Sequence, residues 1–148
     1  VEEERLREAV NFGADHVINP LKEDLSSKVN EITCEHGADV VIVAVGSPIA
    51  QQQALSTAAR GGKIILFAGL PAGKETVPLN TNLIHYKEIS VFGSSSQSIY
   101  DFHKTLNLVK CSMLNVKRFI TSRLPLEETP KAFEMVSSRR GLKVCINP

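Results

Sequence analysis

No stretch of this 148-residue chain is apolar for long enough to cross a membrane. The longest apolar runs, such as Val40-Val41-Ile42-Val43-Ala44-Val45, fall far short of the ~20 residues a bilayer requires. Charge of one sign is lacking as well. Seventeen Lys plus Arg face sixteen Asp plus Glu, a net charge of +1. With no basic stripe to neutralise phosphates, a nucleic-acid partner is not expected. Cysteine is scarce: Cys34, Cys111 and Cys145 form no CxxC and have no histidine at finger-like spacing, which argues against a structural zinc site. Buried or half-buried free thiols in a reducing cytoplasm are expected instead. No basic-then-apolar leader opens the chain, so no retained secretory signal is expected. Internal repeats and low-complexity linkers are missing too.

What is there is an ordinary globular composition, 43% hydrophobic and 22% charged. One domain is the default at this length, and about 70% of the unfolded surface can be buried. Glu2 to Val10 reads as the tail of a helix, with Leu6, Ala9 and Val10 on one face and Gly13 as its stop. His16-Val17-Ile18 reads as a short strand ended by Asn19-Pro20. Asp24 or Ser26 can cap a helix carrying Leu25, Val29 and Ile32. Val40 to Val45, apolar on both faces, reads as a central parallel strand covered on both sides. Ser47 and Pro48 start a helix expected to reach Ala59. Lys63 to Ala68 is the next strand, and an irregular stretch separates it from a third, Glu88 to Phe92. A helix from Ser98 to Lys110 is expected to turn Ile99, Phe102, Leu106 and Val109 inward. Strand-like Arg118 to Ile120 and Ser122 to Leu124, a helix Lys131 to Ser137 and a strand Gly141 to Ile146 close the chain. Strands alternating with helices predict an α/β fold with a mainly parallel sheet. The one plausible boundary lies near Phe92 to Ser98.

Ligands of an open α/β sheet sit beyond the carboxyl ends of its strands. Those ends are Val45-Gly46-Ser47-Pro48, Ala68-Gly69-Leu70-Pro71 and Phe92-Gly93-Ser94. Each glycine either turns the chain or bares backbone to a flat ligand, and three at one sheet edge favour a binding crevice. The familiar catalytic signatures GxGxxG, Walker A, HExxH and GxSxG are missing. His16, His36, His85 and His103 are scattered, Glu2-Glu3-Glu4 reads as a solvated helix start, and Ser94 to Ser96 has no base at motif spacing. The residues alone describe a nucleotide-sized crevice without visible catalytic machinery.

GADHVINP at Gly13 to Pro20, GADVVIVAVGSP at Gly37 to Pro48 and GGKIILFAGLP at Gly61 to Pro71 together resemble the medium-chain dehydrogenase/reductase superfamily. FITSRLPLEETPKAFEMVSSRRGLKVCINP at Phe119 to Pro148 resembles its zinc-dependent alcohol, polyol (sorbitol) and threonine dehydrogenase branch. The likeness runs in order over nearly the whole chain. It implies a Rossmann-like parallel sheet of order 3-2-1-4-5-6 that lacks its first two strands here, with residues 1–97 as a partial NAD(P)-binding domain. Residues 98–148 would form a C-terminal strand-helix-strand segment that returns to the catalytic domain. By the same resemblance Arg5 would reach the adenosine ribose or, in an NADP enzyme, a 2′-phosphate. Ala44 and Val45 would line the crevice, the backbones of Ala68, Leu70 and Phe92 would meet the nicotinamide carboxamide, and Lys143 would stand near the pyrophosphate. An ordinary solvated cation is the alternative for Arg5 and for Lys143.

The family's glycine-rich phosphate loop and its zinc-binding catalytic domain have no counterpart in these residues, so no catalytic residue or zinc ligand is assigned. Removing the two strands would open the middle of the sheet and leave bare ladder edges, so a free chain is expected to be poorly stable. The implied parent is an oxidoreductase moving hydride between an alcohol or polyol and NAD or NADP, with zinc held outside this chain. A cytoplasmic homo-oligomer is implied, with no membrane partner. Two alternatives stay open: a zinc-free reductase resembling quinone oxidoreductases, and a truncated non-catalytic module for nucleotide binding or protein interaction.

Overall fold

In the computed structural model, which describes residues 3–138 and 140–148, the chain divides into two compact units, Val1–Ser95 and Ser96–Pro148. The first unit is α/β. Its three strands, β1 (Ala38–Val43), β2 (Ala58–Leu66) and β3 (Ser90–Gly93), are parallel and lie in the order β1-β2-β3. Helices α1 (Glu3–Asn11) and α2 (Leu25–Ile32) precede the strands, α3 (Pro48–Thr57) connects β1 to β2, and α4 (Thr81–Lys87) connects β2 to β3. Parallel neighbours need such crossovers, because a tight turn cannot reverse the chain twice.

Local chemistry sets the helix starts. The Asp24 carboxylate accepts the Ser27 N–H at 2.8 Å and opens α2. Ser47 Oγ accepts the Ala50 N–H at 3.4 Å, and Pro48 enters α3 where its missing N–H costs nothing. The expected reach of α3 to Ala59 is too long. The chain turns extended at Ala58 and enters β2 directly, passing through a bulge where Ala38 pairs Ala58 but Val40 pairs Lys63.

The core of this unit is one-sided. Val43, Ala54, Leu55, Ala58, Ile64 and Ile89 are buried together, with Val41, Leu66, Leu83 and Ile84 packed against them. Val40 and Ile42 stand on the other face at 53% and 59% exposure, beside Phe92 at 49%. The expectation that β1 is covered on both sides is therefore corrected: its alternate residues split between core and solvent, because α3 and α4 pack on one face only. β1 is also an edge strand, with β2 as its one ladder neighbour among the described residues.

His16-Val17-Ile18 is a second correction. The segment is irregular, with His16 and Val17 exposed, because a strand exists only through a ladder and none of the described strands pairs with it. Asn19 organises this stretch instead. At 6% exposure, its side chain donates to Glu3 Oε1 at 3.3 Å and accepts the Leu21 N–H at 3.1 Å, while Lys22 pairs with Glu3. The helix expectation at α1 holds from Glu3; Glu2 and Val1 lie outside the described residues.

α4 falls in the stretch expected to be irregular. Seven residues are too few to display a 3.6-residue period, and Asn80 makes no side-chain cap. Packing decides it: Leu83 and Ile84 reach the core, and Lys87 donates to the Ala58 carbonyl at 2.8 Å, next to the carboxyl end of α3. A cation there complements the helix dipole.

The second unit holds α5 (Ile99–Lys110), then β4 (Ile120–Pro125), α6 (Thr129–Ser137) and β5 (Lys143–Asn147), with single 3-10 turns at Val116–Phe119 and Leu126–Glu128. β4 and β5 are parallel, and α6 packs on both through buried Ala132. Arg118 and Phe119, expected in a strand, lie in the 3-10 turn, since the ladder with β5 begins only at Ile120. Most of the inward face expected for α5 is exposed, Ile99 at 80%, Phe102 at 52% and Leu106 at 38%, while Val109 is half-buried.

α5 is nonetheless well started. Ser98 Oγ accepts the Asp101 N–H at 3.2 Å and the Asp101 carboxylate accepts the Ser98 N–H at 3.1 Å, a reciprocal capping box. The Ser98 hydroxyl and backbone bonds hold the Asp101 carboxyl below its ordinary value. A folded-state pKa below the unfolded one stabilises above the unfolded value and is lost as pH falls through the folded value. The start of α5 is therefore expected to fray below about pH 4. Far-UV circular dichroism should show an acid-limb helix loss that Asp101→Asn flattens, and an unchanged limb in that variant would contradict it.

Candidate functional site at the carboxyl ends of the strands

Three loops leave the same edge of the parallel sheet: Ala44–Ser47 after β1, Phe67–Pro71 after β2 and Ser94 onward after β3. Their spacing follows from the ladder. Val43 pairs Leu66 and Leu66 pairs Gly93, so the three strands end level. Past the ladder, the Val43 carbonyl accepts the N–H of Phe67 at 3.2 Å and of Ala68 at 3.0 Å, and the Leu66 carbonyl accepts the Ser94 N–H at 3.2 Å.

The glycines at this edge are not equivalent. A methyl placed on Gly46 would stand 2.6 Å from the Gly69 carbonyl oxygen, so the first two loops touch backbone to backbone there. Gly69 and Gly93 have open space where a side chain would be, and neither has a left-handed φ. Nothing in the described structure requires glycine at either of these two positions. Bare backbone facing open space is what a flat ligand needs for close approach.

Of the residues expected at a crevice, Ala44, Val45, Ala68, Leu70 and Phe92 all belong to this unit, the first four in the two touching loops and Phe92 one residue before the end of β3. Ala68 has its N–H committed to Val43, which leaves its carbonyl. The N–H groups of Val45, Gly69 and Leu70 meet no acceptor among the described residues. Val45 is 55% exposed and Phe67 62%. Phe67 is an addition to the expected set: the apolar run places it in a buried strand, but β2 ends at Leu66 and turns it outward. No sequence signal separates it from the strand residues before it.

Arg5 is half-buried on the first turn of α1, away from these loops in sequence and element. Lys143 is exposed at the start of β5 in the second unit. The thiols are less buried than expected. Cys34 and Cys111 are exposed because each sits at a helix end, in the turns after α2 and α5, and Cys145 is intermediate.

Chemically the edge is neutral. Residues 43–48, 66–71 and 92–96 contain no titratable side chain, so they can hold a ligand through backbone and apolar contact but supply no proton. Among the described residues, no group of three or more His, Cys, Asp and Glu could hold a metal ion, so a zinc ion finds no donor set in them.

The carboxyl edge of an open parallel α/β sheet is where proteins of this class hold their ligands. Residues 1–110 match the zinc-binding dehydrogenase family model, and the chain belongs to that family. It is 37% identical over 142 residues to D-arabitol-phosphate dehydrogenase of Enterococcus avium, covering 96% of this chain and 40% of that protein. It is 32% identical over 146 residues to sorbitol dehydrogenase of Bacillus subtilis, covering 97% and 40%. Among solved structures it superposes with a TM-score of 0.84 on a zinc-binding dehydrogenase of Sinorhizobium meliloti bound to NADP, at 26% identity over 99% of this chain and 43% of that one. The chain thus spans about two fifths of the length of these relatives. The order β1-β2-β3 agrees with the run 4-5-6 implied by the resemblance. Among the described residues no helix is long and apolar enough to cross a membrane.

Proposed function

We propose that this chain is the dinucleotide-holding part of an oxidoreductase that transfers hydride between a small alcohol or polyol and NAD or NADP. The observation that carries the reading is the open backbone at Gly69 and Gly93 on the carboxyl edge of the parallel sheet. Ala44 and Val45 would flank the ligand, with the Ala68 carbonyl, the Leu70 N–H and the Phe92 backbone facing the carboxamide. Arg5 would meet the ribose side and Lys143 the pyrophosphate. In this reading residues 1–97 bind the dinucleotide and residues 98–148 return to the catalytic domain. The nicotinamide supplies the hydride chemistry when bound; the chain's own part is to orient it and keep apolar surface around it. Acid, base and zinc would come from residues outside this chain, in keeping with the neutral edge of the sheet.

The protein would work in the cytoplasm as a homo-oligomer, without nucleic-acid or membrane partners. Three free thiols fit a reducing compartment. The outer edge of β3, where Val91 and Phe92 are 40% and 49% exposed, is the surface that favours self-association.

The deciding experiment is the intact mass of the native protein, followed by NAD(P) reduction with alcohols and polyols before and after chelation. A mass well above 16.2 kDa with chelator-sensitive turnover is expected. Turnover with quinones that survives chelation would replace the zinc-dependent assignment. A native mass of 16.2 kDa without NAD(P) binding would overturn the enzyme reading.

A further inference from the structure

Phe67 is 62% exposed, yet the backbone that carries it is fixed. Its N–H is shared between the Val43 carbonyl at 3.2 Å and the Ile65 carbonyl at 3.1 Å, and Ala68 donates to the same Val43 carbonyl at 3.0 Å. Leu66, just before it, packs against the core, while Gly69, two residues on, faces open space. The Phe67 ring meets no other ring and no cation among the described residues. The bond to Val43 continues the ladder one residue past β2, so alternation puts Phe67 on the side of Ile65, the face that α3 and α4 leave open. Phe92, 49% exposed, pairs with Ile65 across that ladder. Diagonal neighbours on one face lie about 7–8 Å apart, within reach of aromatic side chains. A rigidly based ring thus stands in water at the edge of the sheet, beside bare backbone and near a second ring, where no side chain can ionise.

We propose that Phe67 is a ligand-binding residue whose ring stacks on a flat heteroaromatic ring of the dinucleotide. This rests on the dinucleotide reading given above and involves the first unit alone. An aromatic face offers the offset stack that an aliphatic side chain lacks. Gly69 leaves room for the ligand beside it, and the fixed backbone lowers the cost of ordering the site when the ligand arrives.

The test uses the full-length protein. It reads dissociation constants for the reduced dinucleotide the protein prefers, NADH or NADPH, and for the corresponding ADP-ribose fragment, which lacks the nicotinamide ring. Melting temperatures without ligand are read alongside. Phe67→Ala should weaken dinucleotide binding about tenfold, the size of one aromatic stack on a base. Phe67→Tyr should bind as the wild type does, and Phe67→Leu should stay several-fold weaker, because leucine keeps the apolar surface but not the ring. A loss for the dinucleotide alone assigns the stacked ring to nicotinamide, and an equal loss for the fragment assigns it to adenine; either result supports the stack. Unchanged affinity in Phe67→Ala, or wild-type affinity in Phe67→Leu, would overturn it. A ligand-free melting temperature lowered by several degrees in Phe67→Ala would overturn it too, since another part of the protein would then cover the ring. A wild-type protein that binds neither dinucleotide would fail the functional reading itself, and the proposal with it.

Discussion

Gly46→Ala is expected to weaken dinucleotide binding by at least about tenfold and to lower stability by about 1–3 kcal/mol. The new methyl would stand 2.6 Å from the Gly69 carbonyl oxygen, closer than real side chains approach backbone. A flexible side chain could swing aside, but a backbone carbonyl within the loop cannot move without its neighbours. Either the Ala44–Ser47 loop lifts or the Phe67–Pro71 loop is pushed out, and both carry residues assigned to the crevice. Gly69→Ala is the control. Its methyl meets nothing within 4 Å, so melting should hold within about 0.5 kcal/mol while affinity falls, because the open space is where the ligand lies. Thermal melts and a dinucleotide titration of the full-length protein check both variants. A Gly46→Ala protein with normal affinity would show that the loop contact does not shape the crevice.

Ile64→Ala should cost about 2–5 kcal/mol, the largest stability loss expected in the chain. Ile64 is 1% exposed in the middle of the central strand, with β1 on one side, β3 on the other and the buried residues of α3 over it. The cavity would open at the centre of a core that has only one layer. Ile42→Ala, on the solvent face at 59% exposure, should cost far less. Urea midpoints of the two variants compare the faces directly. A loss below about 1 kcal/mol at Ile64 would mean that the core does not centre on β2.

Several elements are legible in the sequence because their cause is local. Asp24, Ser47 with Pro48, and Ser98 each start a helix by bonding an N–H within three residues; the sequence names Ser47 as a cap, leaves Asp24 and Ser26 open and places a helix start at Ser98. The helices α2 and α3 and the strands β1, β2 and β3 are legible for a related reason, since apolar periods and runs bounded by glycine need no partner to be recognised. The glycines of the three loops stand out too, but not their division of labour: one is packed against backbone and two are open.

Composition and pattern by themselves determined the α/β class, where α2, α3 and α5 begin, and the three glycine-bearing loops that follow the strands. The tertiary structure decided what depends on residues distant in sequence. His16 to Ile18 has a strand's composition but no described strand pairs with it. Val40 and Ile42 are as apolar as Val41 and Val43, yet only the second pair lies on the face that α3 and α4 cover. α4 forms because Leu83, Ile84 and Lys87 find β2 and the end of α3, not because seven residues favour a helix. Periodicity records which residues can be buried together; a ladder or a covering helix is a contact between segments, and only the folded chain supplies the second partner.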